Sequence, residues 1–416
     1  MKNFRFLSFV SGAFLLFACT DEGELQLPVS SGDKAQENVS NYVALEEALQ
    51  TADDVFAQMF PAEVQKRGGT KRKVANVSIV ENRKIVQVKN LSGGDLSTSL
   101  YLVNYADGGG FALISSDRRL RPLYAISDEG ALEMADTVGN PALKMFFQGI
   151  QSDMQTMANA APNIVTNNPQ HPGRKIVVNA QANPVLWQKV RRWHQGAPYN
   201  AYCENGKFVG CSALAIAQIF SVQSWPTSYD GNRLIWRSMK NGLNVDMLAK
   251  LLKHLGTSDL LDIDYGVDES SAMPGNFRRT FMAMGYQDPG VFHLFADEEV
   301  RGILEGNYLD GKGPVLTLGW TGAHATGKGH VWVIDGYARF EDETVADANN
   351  MIPSTTLFHC VWGQENGESN GYYYWGNDKS FSSSASYDVN DNCDGIVFGE
   401  DFTHNIVYMT NFKKQR

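Results

Sequence analysis

The chain has 416 residues, 43% of them hydrophobic and 20% charged, the balance of an ordinary globular protein and not of a disordered or fibrous one. Its 36 basic against 46 acidic residues leave a net charge of -10, so it lacks the basic face that nucleic-acid binding requires. Five cysteines are too few for a disulfide-built scaffold, and an odd number leaves at least one thiol without a partner inside the chain.

Lys2 and Arg5 precede an apolar stretch, Phe6 to Phe17, that is too short to cross a bilayer and suits an export signal. It ends Leu16-Phe17-Ala18-Cys19, which resembles a bacterial lipobox. The resemblance implies cleavage before Cys19 and a lipid on its thiol, hence contact with a membrane through Cys19. The acids that follow, Asp21, Glu22 and Glu24, resemble the surface-export signals of Bacteroidetes lipoproteins. The expected location is the outer membrane, at the cell surface, with the processed domain released. Residues 1–18 are assigned to the signal peptide and 19–42 to a lipid-anchored linker, whose Pro28–Asn41 stretch is polar and rich in Ser, Gly, Asp and Gln.

Val43 to Phe60 places Leu45, Leu49, Val55 and Met59 at helical spacing. Residues 75–126 alternate like strands, and Gly108-Gly109-Gly110 between Tyr101–Tyr105 and Phe111–Ser115 predicts a hairpin. Pro141 to Met157 returns to a helical period. Ala158 to Gly173 reads as a loop and is followed by Arg174-Lys175, a domain boundary and a cut site. All eight tryptophans lie beyond Ile176, which nominates that half for chemistry.

Val209-Gly210-Cys211-Ser212-Ala213-Leu214-Ala215-Ile216-Ala217-Gln218-Ile219 predicts a tight turn at Gly210 and then a helix that is apolar on every side, hence buried. Cys211 then stands at the amino end of that helix. The dipole and free N–H groups there favour an anion, so its thiol pKa is expected to be lowered and the residue to be a ready nucleophile. A small buried thiol at a helix start is the plainer alternative.

A thiolate nucleophile needs a base. His330 follows Gly327-Lys328-Gly329 and precedes Val331-Trp332-Val333-Ile334, so it would project from the head of a strand that Asp335-Gly336 is expected to turn. His359, before Cys360-Val361-Trp362-Gly363, is the second choice. His324 lies in a Gly/Ala-rich loop, and His171, His254, His293 and His404 read as solvated or packed. No Cys-x-x-Cys pair, His-Glu-x-x-His motif or phosphate-binding glycine loop occurs, so no metal or other cofactor is expected. Cys203, Cys360 and Cys393 leave one disulfide open.

These segments resemble the streptopain-type cysteine peptidases of the papain-like superfamily. The likeness rests on His194-Gln195-Gly196-Ala197-Pro198-Tyr199-Asn200, Gly210-Cys211 and the helix after it, Asp264-Tyr265-Gly266, Ser270-Ser271, Gly329-His330 through Gly336, His359 through Gly363, and Gly371-Tyr372, in that order. It implies an α+β fold, with a two-lobed papain-like peptidase domain over residues 176–416, one lobe helical and one antiparallel β. It implies Cys211 as nucleophile and His330 as its partner. It implies the Gln195 amide beside the Cys211 N–H as the oxyanion hole, and Trp362 as the residue that orients or shields the His330 ring.

Tyr101–Tyr105, Gly110–Asp117 and Asn140-Pro141 before a helix look like streptopain propeptides and their related inhibitors. This implies a small α+β inhibitory prodomain over residues 43–175, cut away near Arg174 and Lys175 by an activating protease or by the enzyme itself. The expected partners are protein or peptide substrates, the chain's own prodomain and such a protease. One departure matters. The family pattern after the tryptophan is Gly-Trp-Gly-Gly with Asn before it, whereas here Val361-Trp362-Gly363-Gln364-Glu365-Asn366-Gly367 occurs. The substrate-facing wall therefore need not follow the family. A catalytically weak surface lipoprotein of the same fold, binding proteins or inhibiting a peptidase, is the alternative.

Overall fold

Residues 42–69, 71–81, 84–87, 99–159, 174–267, 269–306, 313–321, 328–344, 353–375, 405–410 and 412–414 are described by a computed structural model. Every described residue belongs to one compact unit, Ser40–Arg416. Cys19, the 160–173 loop, His171, His324, Cys393 and His404 lie outside the described residues.

The helices used below are α1 Leu45–Met59, α2 Pro141–Asn159, α3 Cys211–Gln223, α4 Val245–Leu255, α5 Gly275–Ala283 and α6 Asp297–Glu305. The strands are β1 Val74–Glu81, β2 Lys84–Gln87, β3 Leu100–Tyr105, β4 Phe111–Ser115, β5 Leu123–Ser127, β6 Ile176–Ala182, β7 Val291–Leu294, β8 Val315–Trp320, β9 Gly329–Asp342, β10 Ser354–Val361, β11 Gly371–Tyr374 and β12 Asn405–Thr410.

The expected hairpin is β3–β4, with Asn104 opposite Phe111 and Leu102 opposite Leu113. Gly110 sits at φ +92, and a Cβ there would lie 2.0 Å from the Ser127 carbonyl oxygen, so glycine is required. Helix α2 begins where its sequence says it should. Asn140 Oδ1 accepts the Leu143 N–H at 3.1 Å as the cap, and Pro141 occupies the first helical position.

These strands build one antiparallel sheet of twelve, in the order β7-β12-β8-β9-β10-β11-β5-β4-β3-β1-β2, with β6 paired to the far half of β9. The amino-terminal strands join the others where β5 pairs with β11, at Ile126 with Tyr372 and Ala125 with Tyr373. A strand edge that would otherwise present unpaired N–H and C=O groups is thereby covered.

Strand β9 shows how the sheet is buried on both faces. Val331 and Val333 belong to the core shared by α3, α4 and α5, whereas Trp332 and Ile334 belong to the one shared by α1, α2 and α6. The period of two thus sends alternate residues into two cores. One core belongs to a helical lobe; residues of the amino-terminal half cover much of the other face.

One expectation is corrected by this architecture. Asp335-Gly336 does not turn β9. The strand runs 14 residues, and the pair forms a bulge where the register with β10 steps between Ile334 and Gly336. A Cβ on Gly336 would lie 2.8 Å from the Ala182 carbonyl oxygen, because the chain leaving β6 crosses there. The bulge turns the Asp335 carboxylate inward. It accepts the Leu186 N–H at 2.9 Å and meets His359 Nδ1 at 2.5 Å.

Arg174, at the expected cut site, is buried. Its guanidinium donates to Ser115 Oγ at 3.1 Å and to the carbonyls of Asp117 and Leu120 at 3.0 Å, and Nε lies 3.6 Å from Asp342. It therefore ties the amino-terminal half to β9. Lys175 is exposed and pairs with Glu343, but its carbonyl is engaged by the Glu343 N–H at 3.0 Å.

Candidate active site

Helix α3 starts at Cys211 and is buried from Ser212 to Ser221, as its composition predicts. Gly210 precedes it at φ +90, a conformation that L side chains rarely adopt, and a Cβ there would meet Ile263 Cδ1 at 3.1 Å. The turn is pinned from both sides. The Val209 N–H donates to the Gln195 carbonyl at 3.1 Å, and Ser270 Oγ donates to the Phe208 carbonyl at 2.8 Å. Gln195 is thereby drawn beside Cys211 by the backbone rather than by its own side chain.

His330 is the second residue of β9 and is 4% exposed. Its Nε2 lies 2.9 Å from the Trp362 carbonyl oxygen. A carbonyl only accepts, so Nε2 carries the proton and Nδ1 keeps the lone pair that a general base needs. The Trp362 backbone is itself clamped. Asn370 Oδ1 accepts the Trp362 N–H at 3.0 Å, and Asn370 Nδ2 donates to the Arg191 carbonyl at 2.8 Å.

The sequence-based role of Trp362 is modified accordingly. Its indole is fully buried among Trp332, Tyr373 and Trp375, with centroids 5.6, 5.0 and 6.1 Å away, and its N–H donates to the Ser369 carbonyl. Trp362 reaches His330 through its carbonyl. The ring that lies nearly parallel to His330, at 6.4 Å, belongs to Trp332. His359, the second-choice base, is buried and committed to Asp335. Cys203 and Cys360 are free thiols in opposite cores, so the open disulfide does not join them.

Cys211, His330 and Gln195 line one cavity of about 210 Å³. Its wall is completed from the amino-terminal half by Val138, Gly139 and Pro141, which lead into α2. Helix α2 then lies against the His330 strand. Met145 packs on Gly319, the residue opposite His330, so closely that a Cβ on Gly319 would lie 2.4 Å from Met145 Cε. Farther along, Phe146 meets Tyr373 edge-on at 4.9 Å, and the buried Asp153 accepts the Tyr124 hydroxyl at 2.8 Å.

This enclosure sets the charge state. Burial pushes the His330 imidazole down to about 4, with the Trp362 carbonyl opposing only in part. Burial also pushes the Cys211 thiol up, outweighing the N–H groups of Val331, Ser212 and Cys211 that pull it down. The expected lowering of the thiol pKa is therefore reversed in the covered state, because desolvation exceeds the helix-end effect. Thiol and imidazole are both neutral near pH 7, and among the described residues no hydrogen bond joins them.

Four residues that shape this site had no role assigned from the sequence, although His194, Trp332 and Gln364 stand in segments quoted above. His194 lines the cavity, edge-on to Tyr199 at 4.9 Å, with its pKa lowered by burial. Trp332 stacks near His330, Asn370 clamps Trp362, and Gln364 hydrogen-bonds Gly139. Trp332 carried a signal, since period two places it on the His330 face; His194 and Gln364 stood inside quoted segments, and Asn370 carried none.

Residues 193–373 match the family model described as the peptidase C10 family, and residues 33–154 match that of the Spi protease inhibitor. No curated protein matches the chain. Among solved structures it is similar to a Prevotella intermedia prointerpain A fragment, with 19% identity and a TM-score of 0.48, over 79% of this chain and 99% of that one. The binding-module alternative finds no support in these matches. Residues 193–373 thus carry a peptidase of the C10, or streptopain, family behind an inhibitor-type propeptide: the protein is a cysteine peptidase of mixed helix and antiparallel-sheet architecture, made as a zymogen.

Proposed function

We propose that Cys211 and His330 hydrolyse peptide bonds, and that the propeptide keeps them covered and uncharged until it is removed. The observation that supports this reading most is the shared cavity, lined by Cys211, His330 and Gln195 and closed by Val138, Gly139 and Pro141 of the propeptide.

Removal of the propeptide readmits water to the site. The thiol pKa then falls under the helix-end N–H groups, the imidazole pKa rises, and a proton passes from Sγ to Nδ1. The thiolate attacks the scissile carbonyl carbon. Negative charge develops on the carbonyl oxygen, where the Cys211 N–H and the Gln195 amide would donate to it. The imidazolium returns its proton to the leaving amine as the C–N bond breaks, leaving a thioester on Cys211. Water, losing a proton to His330, then attacks the thioester and releases the acid product. Trp362 and Asn370 hold the tautomer this cycle requires.

Activation is read as a cut ahead of Arg174, within residues 160–173, by a separate protease or by the enzyme itself. The buried Arg174 guanidinium supports a position upstream of it. Export and lipid attachment at Cys19 at the cell surface complete the reading, supported by the leader sequence alone.

The test is incubation of the purified chain with and without reductant, with mass spectrometry of any new amino terminus and a peptide-hydrolysis assay. The wild type is expected to gain a terminus before Arg174 and to hydrolyse peptide once reduced, and Cys211→Ala to do neither. Substantial turnover by Cys211→Ala would refute the nucleophile.

A further inference from the structure

We infer that Gln364 binds the main chain of the substrate on the leaving-group side of the scissile bond. The inference rests on the function proposed above and adds a substrate contact to it.

Gln364 is two residues beyond Trp362, whose carbonyl holds His330, so it stands on the histidine side of the cavity that both residues line. Cys211 and Gln195 reach the cavity from other segments, the start of α3 and the chain ahead of it. His330 is the group that protonates the leaving amine, so the chain beyond the scissile bond must pass along this side.

A polypeptide already lies there. Gln364 Nε2 donates to the Gly139 carbonyl of the propeptide at 3.1 Å, where Val138, Gly139 and Pro141 line the cavity. Gly139 has no side chain, so Gln364 reads only its main chain. Every peptide carries that carbonyl, and the same amide can also accept a main-chain N–H through Oε1.

The residue is also held in place. Gly363 sits at φ +71, and a Cβ there would lie 2.6 Å from Leu214 Cδ2, on the first turn of α3. The loop thus rests on the nucleophile's own helix, while Asn370 clamps it to the Arg191 carbonyl. Gln364 is therefore fixed with respect to both Cys211 and His330. An indole at this position would offer a flat apolar wall and a single N–H; the amide offers a two-way polar hook that tolerates many side chains.

The test uses the full-length chain after activation, with two substrates that share one acyl side. One continues for three residues past the scissile bond; the other ends there in a fluorogenic amide. Gln364→Met keeps the shape and removes the hydrogen bond, and Gln364→Ala removes both. The expected result is a KM for the extended substrate that rises about fivefold more than that for the truncated one, with kcat changed less than about twofold. An equal change for both substrates, or no change, overturns the inference. A wild type that cleaves neither overturns the proposed function and the inference with it.

Discussion

Cys211 is held by its own domain, whereas His330 is held by contacts that pass into the propeptide. On the cysteine side, Gly210 packs on Ile263, Val209 bonds Gln195 and Ser270 bonds Phe208, all within the peptidase. On the histidine side, Met145 presses on Gly319, Gln364 bonds Gly139, and Ser127 Oγ donates to the Asn370 carbonyl at 2.8 Å. Met145, Gly139 and Ser127 are propeptide residues. The wall around Cys211 thus stays built when the propeptide leaves, while that around His330 loses three supports. On the proposed reading, propeptide removal ends the desolvation of both groups but changes the packing around His330 more than that around Cys211.

The largest effects test which two residues do the chemistry. Cys211→Ala and His330→Ala are each expected to lower kcat/KM by at least about a thousandfold in the processed enzyme, with the fold intact by circular dichroism. His359→Ala should instead lower the melting temperature, because it strips the buried Asp335 of its partner. A processed His359→Ala enzyme that is more impaired in turnover than His330→Ala would show that the wrong base has been chosen.

The next test sets one wall against the other. Met145 is fully buried, and Met145→Ala should weaken propeptide docking by about 2–5 kcal/mol. An epoxide thiol reagent should then label Cys211 in the uncut variant and leave the uncut wild type almost unlabelled. Ile263→Ala, on the cysteine side, should reduce global stability with no such gain in labelling. If both variants label alike, the asymmetry between the walls is wrong.

The pH dependence has a definite sign. His330 is pushed down to about 4 in the covered state from an ordinary value of 6.5, so it is buried neutral. Its contribution to stability is complete above pH 6.5 and is lost as pH falls toward 4. His194 acts in the same direction. Asp128, Asp136 and Asp297 are raised by burial, the last to about 6, and oppose it. Comparison with His330→Phe isolates the one group. The denaturation midpoint of the uncut chain should fall less steeply between pH 6.5 and 4 in the variant, and parallel slopes would remove His330 from the pH response.

Ser127→Ala is the mildest probe. Losing one hydrogen bond to Asn370 should cost about 1 kcal/mol of docking. It should speed activation a few-fold, read as the time course of propeptide loss. An unchanged time course would mean that the Ser127 link carries no load.

What the amino-acid order determined by itself was local. Period-two and period-3.6 runs located α1, α2, the β3–β4 hairpin and the strand headed by His330; a glycine before a uniformly apolar run put Cys211 at the start of a buried helix. The runs are legible because each depends on neighbours a few residues away. What only the tertiary structure decided depends on segments far apart in the chain: the bulge that hands Asp335 to His359, the burial of Arg174 between β4 and β9, Trp332 instead of Trp362 beside the imidazole, and the raised thiol pKa of Cys211. Desolvation and sheet register arise from which surfaces meet, and residue spacing carries no record of that.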